Sequence, residues 1–222
     1  MKNASIKAVC VTFFLFSFNS TAAVNPPEKG WELGLAPPNI HSYYLSGKKL
    51  RPRKTSLYSL AGRYDAVIIA VCASWCSPCI TWSLEAQAFA DNLAAEGINV
   101  GLIDLLVEDY SYRPATRKTA LNWLDTAWTG DPRDVWYGAD SYDAGYDILA
   151  VQTPAVGWPS YIILDSNLQV YGHFFGVYPN EISEIARQAS EVTPWFGNYQ
   201  RSIFARLLLR FYLATGYPIP NT

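Results

Sequence analysis

The sequence predicts an α/β domain whose central mixed sheet is flanked by helices. Three observations predict it. Ala66-Val67-Ile68-Ile69-Ala70-Val71-Cys72 is a continuous apolar run, the pattern of a central strand buried on both faces. Cys79 to Glu96 reads as a helix ended by Gly97, and Ile98 to Leu106 follows as a second apolar strand. Ser160 to Asp165, the turn Ser166-Asn167, Gln169 to Phe175 and Asn180 to Ala189 read as strand, turn, strand and helix. A helix between two strands points to a parallel crossover, and the closing strand pair to an antiparallel addition.

Composition agrees. Of 222 residues, 50% are hydrophobic and 16% charged, enough for one sizeable core and too apolar for a disordered chain. Lys plus Arg number 17 and Asp plus Glu 19, a formal net charge of −2 with no basic run. Nucleic acid is therefore not an expected partner. Four Cys are too few for a disulfide-stapled scaffold, and two His argue against a His-rich metal site.

Residues 1–23 have the form of a signal peptide. Lys2 and Lys7 open it, Ala8 to Phe18 is an apolar core, and Ser20-Thr21-Ala22-Ala23 supplies small residues for cleavage after Ala22 or Ala23. An uncleaved N-terminal anchor is the other reading. Export, to a bacterial periplasm, is the expectation. Cys10 would leave with the peptide, so Cys72, Cys76 and Cys79 would work where thiols are not held reduced.

The remaining elements are weaker. Residues 24–190 are expected to form the domain. Ser46-Gly47-Lys48-Lys49 reads as a hairpin turn, and Thr55 to Gly62 as a short helical turn stopped by Gly. Residues 107–157 are a long intervening stretch. Thr116 to Ala127 reads as a helix with Leu121, Leu124 and Trp128 on one face. Asp131-Pro132 and Gly138 are breaks, and residues 140–151 read as a further helical turn or two. The extension 191–222 carries a helix candidate, Ser202 to Ala214, with Arg206 and Arg210 among apolar residues. It could touch a membrane or partner, or dock on its own domain.

Trp75-Cys76-Ser77-Pro78-Cys79 is the informative motif. A buried strand runs into it and a helix starts within it, so Cys76 is expected at a helix N-terminus. Free N–H groups and the macrodipole there favour a thiolate, the nucleophilic form. Cys79, one turn on, can close a disulfide with Cys76 or resolve a mixed disulfide formed at it. Pro78 suits a first helical turn. A structural disulfide or half of a zinc site are the other readings. Zinc needs two further ligands, and no second CxxC or nearby His pair stands in the chain.

The chain resembles the thioredoxin superfamily, specifically the exported TlpA/ResA-type thiol–disulfide oxidoreductases. Trp75 to Cys79 matches the WCxPC motif of that family, and Ser56 to Gly62 resembles its SLSDLKG approach to the first core strand. Asp165 to Val170 resembles its D-x-x-G-x-V hairpin, with Leu168 in place of Gly, and Gly176 fits the Gly after its last strand. Trp158-Pro159-Ser160 falls where the family has its cis-proline. The likeness covers roughly residues 38–190. It implies a thioredoxin-like fold with an N-terminal hairpin extension, a helical insertion over about 107–157 before the cis-proline, and a C-terminal helical tail.

The resemblance also implies function. Cys76 and Cys79 would be the catalytic, redox-active pair. Trp75, Trp158 and Pro159 would bind substrate, with the backbone beside Pro159 holding an extended strand. No organic cofactor or metal is implied. Partners would be proteins with thiols or disulfides, and a protein electron donor or acceptor, membrane-bound in some family members. A reductase is favoured over an oxidant. Besides Leu168, the chain departs from the pattern at three positions. Ala70 stands where many thioredoxins bury an Asp, and Trp82 where ResA-type members have a Glu. Whether Glu85, one turn on, substitutes is left open by the sequence. Trp158 is bulky where the family has a small or β-branched residue, and is expected to narrow the groove.

Cys72 and Cys76 resemble the spacing of Sco-type copper chaperones, which need a downstream His, here His173. That gives the alternative function, a copper-binding or partner-binding module using the same thiols; a buried core thiol is the plainer reading of Cys72. Asp131, Asp134, Asp140, Asp143 and Asp147 lack calcium-loop spacing and read as a solvated face. Trp123, Trp128, Trp136 and Tyr137 read as the insertion's own core, with a peptide-binding surface as the alternative.

Overall fold

A computed structural model of the chain describes residues 29–46, 49–127, 134–151, 157–176 and 179–192. Its innermost strand is β3 (Ala66–Ala73), buried at every position as its unbroken apolar run requires. One neighbour is the parallel strand β4 (Val100–Glu108), in register from Ala66 opposite Val100. The other is the antiparallel β6 (Ser160–Leu164), which puts Ser160 opposite Val71. Beyond β6 lies β7 (Val170–Phe175), antiparallel to it.

The sheet extends beyond β4. A short β5 (Asp134–Tyr137) runs parallel to β4. Antiparallel to β5 lies β1 (His41–Ser46), which in turn pairs with the edge strand β2 (Lys49–Ser56). The order of the seven strands is β2-β1-β5-β4-β3-β6-β7. The N-terminal hairpin and the strand from the insertion are thus one structural addition, zipped together along β1 and β5.

Among the described residues four helices cover this sheet: α1 (Ser77–Ala95), α2 (Arg117–Ala127), α3 (Ala139–Val151) and α4 (Pro179–Ser190). Side chains alternate across a strand, so β3 feeds two cores. Ile68, Ala70 and Cys72 point into the core shared with Trp82 of α1, Trp123 of α2 and Ile182 of α4. Val67, Ile69 and Val71 point into the other, with Ile148 of α3, Trp31 and the 3₁₀ turn Leu57–Leu60. Among the described residues no helix is long and apolar enough to cross a membrane.

The predicted fold class holds, with corrections of detail. The second strand begins at Val100 and reaches Glu108, two residues later than Ile98 to Leu106. The buried face of α2 is Ala120, Trp123, Leu124 and Ala127, while Leu121 is only half-buried. The face turns because α2 packs against both α1 and β5, which local periodicity does not reveal. Three turns of α3 replace the expected one or two. The insertion is not purely helical, since it contributes β5. Four strand residues, the last three of them buried, show no alternation; Asp131-Pro132 precedes them and Gly138 follows. Residues 1–23, the turn residues Gly47 and Lys48, Trp128, Asp131 and the extension with Arg206 and Arg210 lie outside the described residues.

Candidate redox site

The site is built where β3 ends. The Ser74 N–H donates to the Glu108 carbonyl on β4 (2.9 Å), and the Cys76 N–H donates to the Ala73 carbonyl (3.0 Å). The turn delivers Cys76 as the N-cap of α1, in extended conformation, with Pro78 in the first helical turn. Cys76 and Cys79 form a disulfide, S–S 2.16 Å, with Cα atoms 5.3 Å apart. The Cys79 N–H donates to Cys76 Sγ at 3.2 Å. Cys79 has no exposed surface and Cys76 retains 4%, so an incoming group meets Cys76.

The Trp158–Pro159 peptide bond is cis. Pro159 immediately precedes β6, and Ser160 pairs with Val71 near the end of β3, so Pro159 lies at the same end of the sheet as the disulfide. Its carbonyl accepts the Gly176 N–H (3.2 Å). Pro159 is buried and Trp158 half-buried.

Three residues not singled out in the sequence complete this end of the sheet. The Trp75 indole N–H donates to Glu108 Oε2 (3.1 Å), and the Tyr146 hydroxyl of α3 donates to Glu108 Oε1. Trp75 also packs against Tyr112, with ring centroids 5.5 Å apart. Tyr146 and Trp158 meet edge to face, centroids 6.0 Å apart. The bond to Glu108 pushes the Tyr146 hydroxyl pKa well above the usual phenol value, with burial adding to it. The only sequence signal for Glu108 was an acid closing an apolar strand. Nothing local marked Tyr112 or Tyr146.

A buried carboxylate does lie under α1. Asp104 of β4 pairs opposite Ala70 and is 2% exposed. Ser83 Oγ donates to its Oδ2 (2.7 Å), as does the Trp123 indole N–H (3.0 Å). Glu85 is exposed, so it supplies no buried acid. Trp82 is buried, with Phe89 and Tyr161 packed edgewise against it.

Cys72 is a buried thiol outside the disulfide. Its side chain enters the core that holds Cys79, while His173, lowered in pKa by burial, is bonded through Nε2 to the Trp31 carbonyl across the sheet. The geometry therefore does not assemble the copper-chaperone set of Cys72, Cys76 and His173. Among the described residues no group of three or more His, Cys, Asp or Glu is placed to hold a metal. Asp140, Asp143 and Asp147 are exposed along α3 and Asp134 is half-buried in β5. Trp123, Trp136 and Tyr137 are buried, as core residues rather than a peptide-binding surface.

No family model matches the chain, and no match is found among curated proteins. Solved structures do match. A candidate protein disulfide isomerase from Bacteroides thetaiotaomicron has a TM-score of 0.51 at 17% identity, over 72% of this chain and 89% of the other. The mitochondrial 2-Cys peroxiredoxin of Plasmodium falciparum has a TM-score of 0.51 at 13% identity, over 71% and 93%. At these identities the likeness is one of fold. The chain is a mixed α/β protein with a cysteine pair at the N-terminus of the helix that follows its central strand. Its fold is thioredoxin-like.

Proposed function

We propose that the protein is an exported thiol–disulfide oxidoreductase of the TlpA/ResA type, working as a reductant of protein disulfides. The observation that carries the reading is the Cys76–Cys79 pair, with Cys76 both the N-cap of α1 and the outer sulfur. The helix N-terminus and the Cys79 N–H favour negative charge on Cys76 Sγ.

In the reduced protein the Cys76 thiolate attacks one sulfur of a substrate disulfide. The substrate S–S bond breaks, a mixed disulfide forms, and the departing sulfur leaves as a thiolate that takes a proton from solvent. Cys79 then loses its proton and attacks Cys76 Sγ, releasing the second substrate thiolate, which is protonated in turn. The substrate gains two electrons and two protons, and the cysteine pair is oxidised to its disulfide. A dithiol on a partner protein reverses the exchange and restores the reduced pair. The steps need no organic cofactor or metal.

Pro159 and the backbone beside Trp158 would hold the substrate strand, and Trp75 would flank the reactive sulfur. The small exposure of Cys76 favours a thin, extended segment as the substrate. The basic start, apolar core and small residues of 1–23 support export to a periplasm.

The test is Cys79→Ala. Reduced and mixed with a disulfide-bonded client, it should accumulate a mixed disulfide through Cys76, visible on a non-reducing gel and absent in the Cys76→Ser, Cys79→Ala double variant. A folded Cys79→Ala that traps no client would overturn the mechanism.

A further inference from the structure

We infer that Glu108 is a positioning residue that favours exchange with polypeptide partners over small thiol reagents, an inference that rests on the oxidoreductase reading above. The backbone prepares it. Cys72 pairs with Leu106, but Ala73 pairs with Glu108, so one extra residue, Val107, is accommodated in β4. Such a bulge re-aims the next side chain. Val107 turns into the α3 core, and Glu108 comes level with the end of β3, beside the loop that carries Cys76.

Glu108 is 3% exposed. A buried carboxylate is costly unless its oxygens are paired, and here each oxygen takes one donor from a different segment. Oε2 takes Trp75, the residue before Cys76. Oε1 takes Tyr146, whose ring packs on Trp158, the residue before Pro159. One side chain therefore joins the loop that presents the reactive sulfur to the loop that would hold a substrate strand.

Gly145 permits the second link. A Cβ there would collide with Val107 Cγ2, so only glycine lets α3 approach β4 closely enough at the residue preceding Tyr146. A polypeptide that offers its disulfide to Cys76 must lie between the two loops and touch both indoles. A small dithiol touches only sulfur. Loosening the clamp should cost the first and spare the second.

The experiment compares reduction of insulin by the reduced protein with reduction of the oxidised protein by dithiothreitol. Glu108→Ala should lower kcat/KM toward insulin by about tenfold or more, the scale expected when a docking geometry is lost, and leave the dithiothreitol rate within about twofold. Glu108→Gln keeps an acceptor for Trp75 and a polar partner for Tyr146, and should recover most of the loss. Tyr146→Phe keeps the ring on Trp158 but cuts one link, and should fall between; it and Glu108→Gln serve if Glu108→Ala does not fold. An equal loss on both substrates would make Glu108 merely structural and overturn the inference. So would unchanged insulin kinetics in all three variants alongside an active wild type. A wild type that exchanges with neither substrate would overturn the oxidoreductase reading itself, and this inference with it.

Discussion

Asp104 stands directly across from Ala70 in the β3–β4 register, and its carboxylate is held by Ser83 and Trp123. Ser83 lies one helical turn beyond Cys79 on α1, so this carboxylate is one hydrogen bond from the turn that carries the inner cysteine. The central strand carries Ala at this position, and the buried acid stands on the neighbouring strand.

Asp104→Ala should therefore be costly. It orphans the Ser83 hydroxyl and the Trp123 indole N–H, at about 1–3 kcal/mol each. A loss of about 2–5 kcal/mol is expected from denaturant midpoints at constant slope. Asp104→Asn retains an acceptor and should lose less. Equal stabilities of wild type and Asp104→Ala would show that Asp104 does not organise this core.

Leu168 has φ 60°, in the left-handed region, where glycine would be comfortable. The Asp165 carboxylate fixes that turn by accepting the N–H groups of Asn167 (2.8 Å) and Gln169 (2.9 Å). Leu168→Gly relieves about 1–2 kcal/mol of backbone strain. However, Leu168 is 1% exposed in the α3 core, and truncating such a side chain costs about 2–5 kcal/mol. Burial should win, giving a less stable variant by thermal or chemical melting. A more stable Leu168→Gly would mean that strain dominates.

Tyr58 anchors the N-terminal segment by donating to the Pro37 carbonyl (2.8 Å), and burial pushes its pKa up to about 12. The unfolded chain ionises near the ordinary value of about 10, so between these limits the folded state holds more protons. Stability should fall as pH rises from about 10 toward 12. Tyr64, Tyr137 and Tyr161, also raised chiefly by burial, add to the slope. Denaturation of the oxidised protein at stepped alkaline pH measures it, and Tyr58→Phe should flatten it in part. A flat profile to pH 12 would contradict the burial of these phenols.

Gly145→Ala forces a methyl group into Val107. Overpacking of this kind costs about 1–3 kcal/mol. It should also move Tyr146 from Glu108, so insulin reduction should fall more than exchange with dithiothreitol. A variant with wild-type melting and kinetics would show that α3 has room to spare.

The cysteine pair, the central strand and the closing hairpin were legible because each is written in consecutive residues. Trp75-Cys76-Ser77-Pro78-Cys79 carries its nucleophile, its helix start and its spacing within five positions. The carboxylate cluster was not legible, because its bonds join residues 33 and 38 positions apart, from Glu108 to Trp75 and to Tyr146. The bulge at Val107, opposite the step from Cys72 to Ala73, brings Glu108 level with the end of β3. Strand β5 was hidden for a similar reason: Trp136 and Tyr137 are strand residues because β1 and β4 lie on either side of them. Helical position alone left open whether Glu85 substitutes as the acid, whereas Asp104 reaches the core through sheet register.

The most direct test is the reduction potential of the Cys76–Cys79 couple, measured by equilibration with dithiothreitol or glutathione. The account predicts a reducing couple near the thioredoxin value of about −270 mV. A value near the DsbA figure of about −120 mV would contradict it, making the protein a donor of disulfides rather than their reductant.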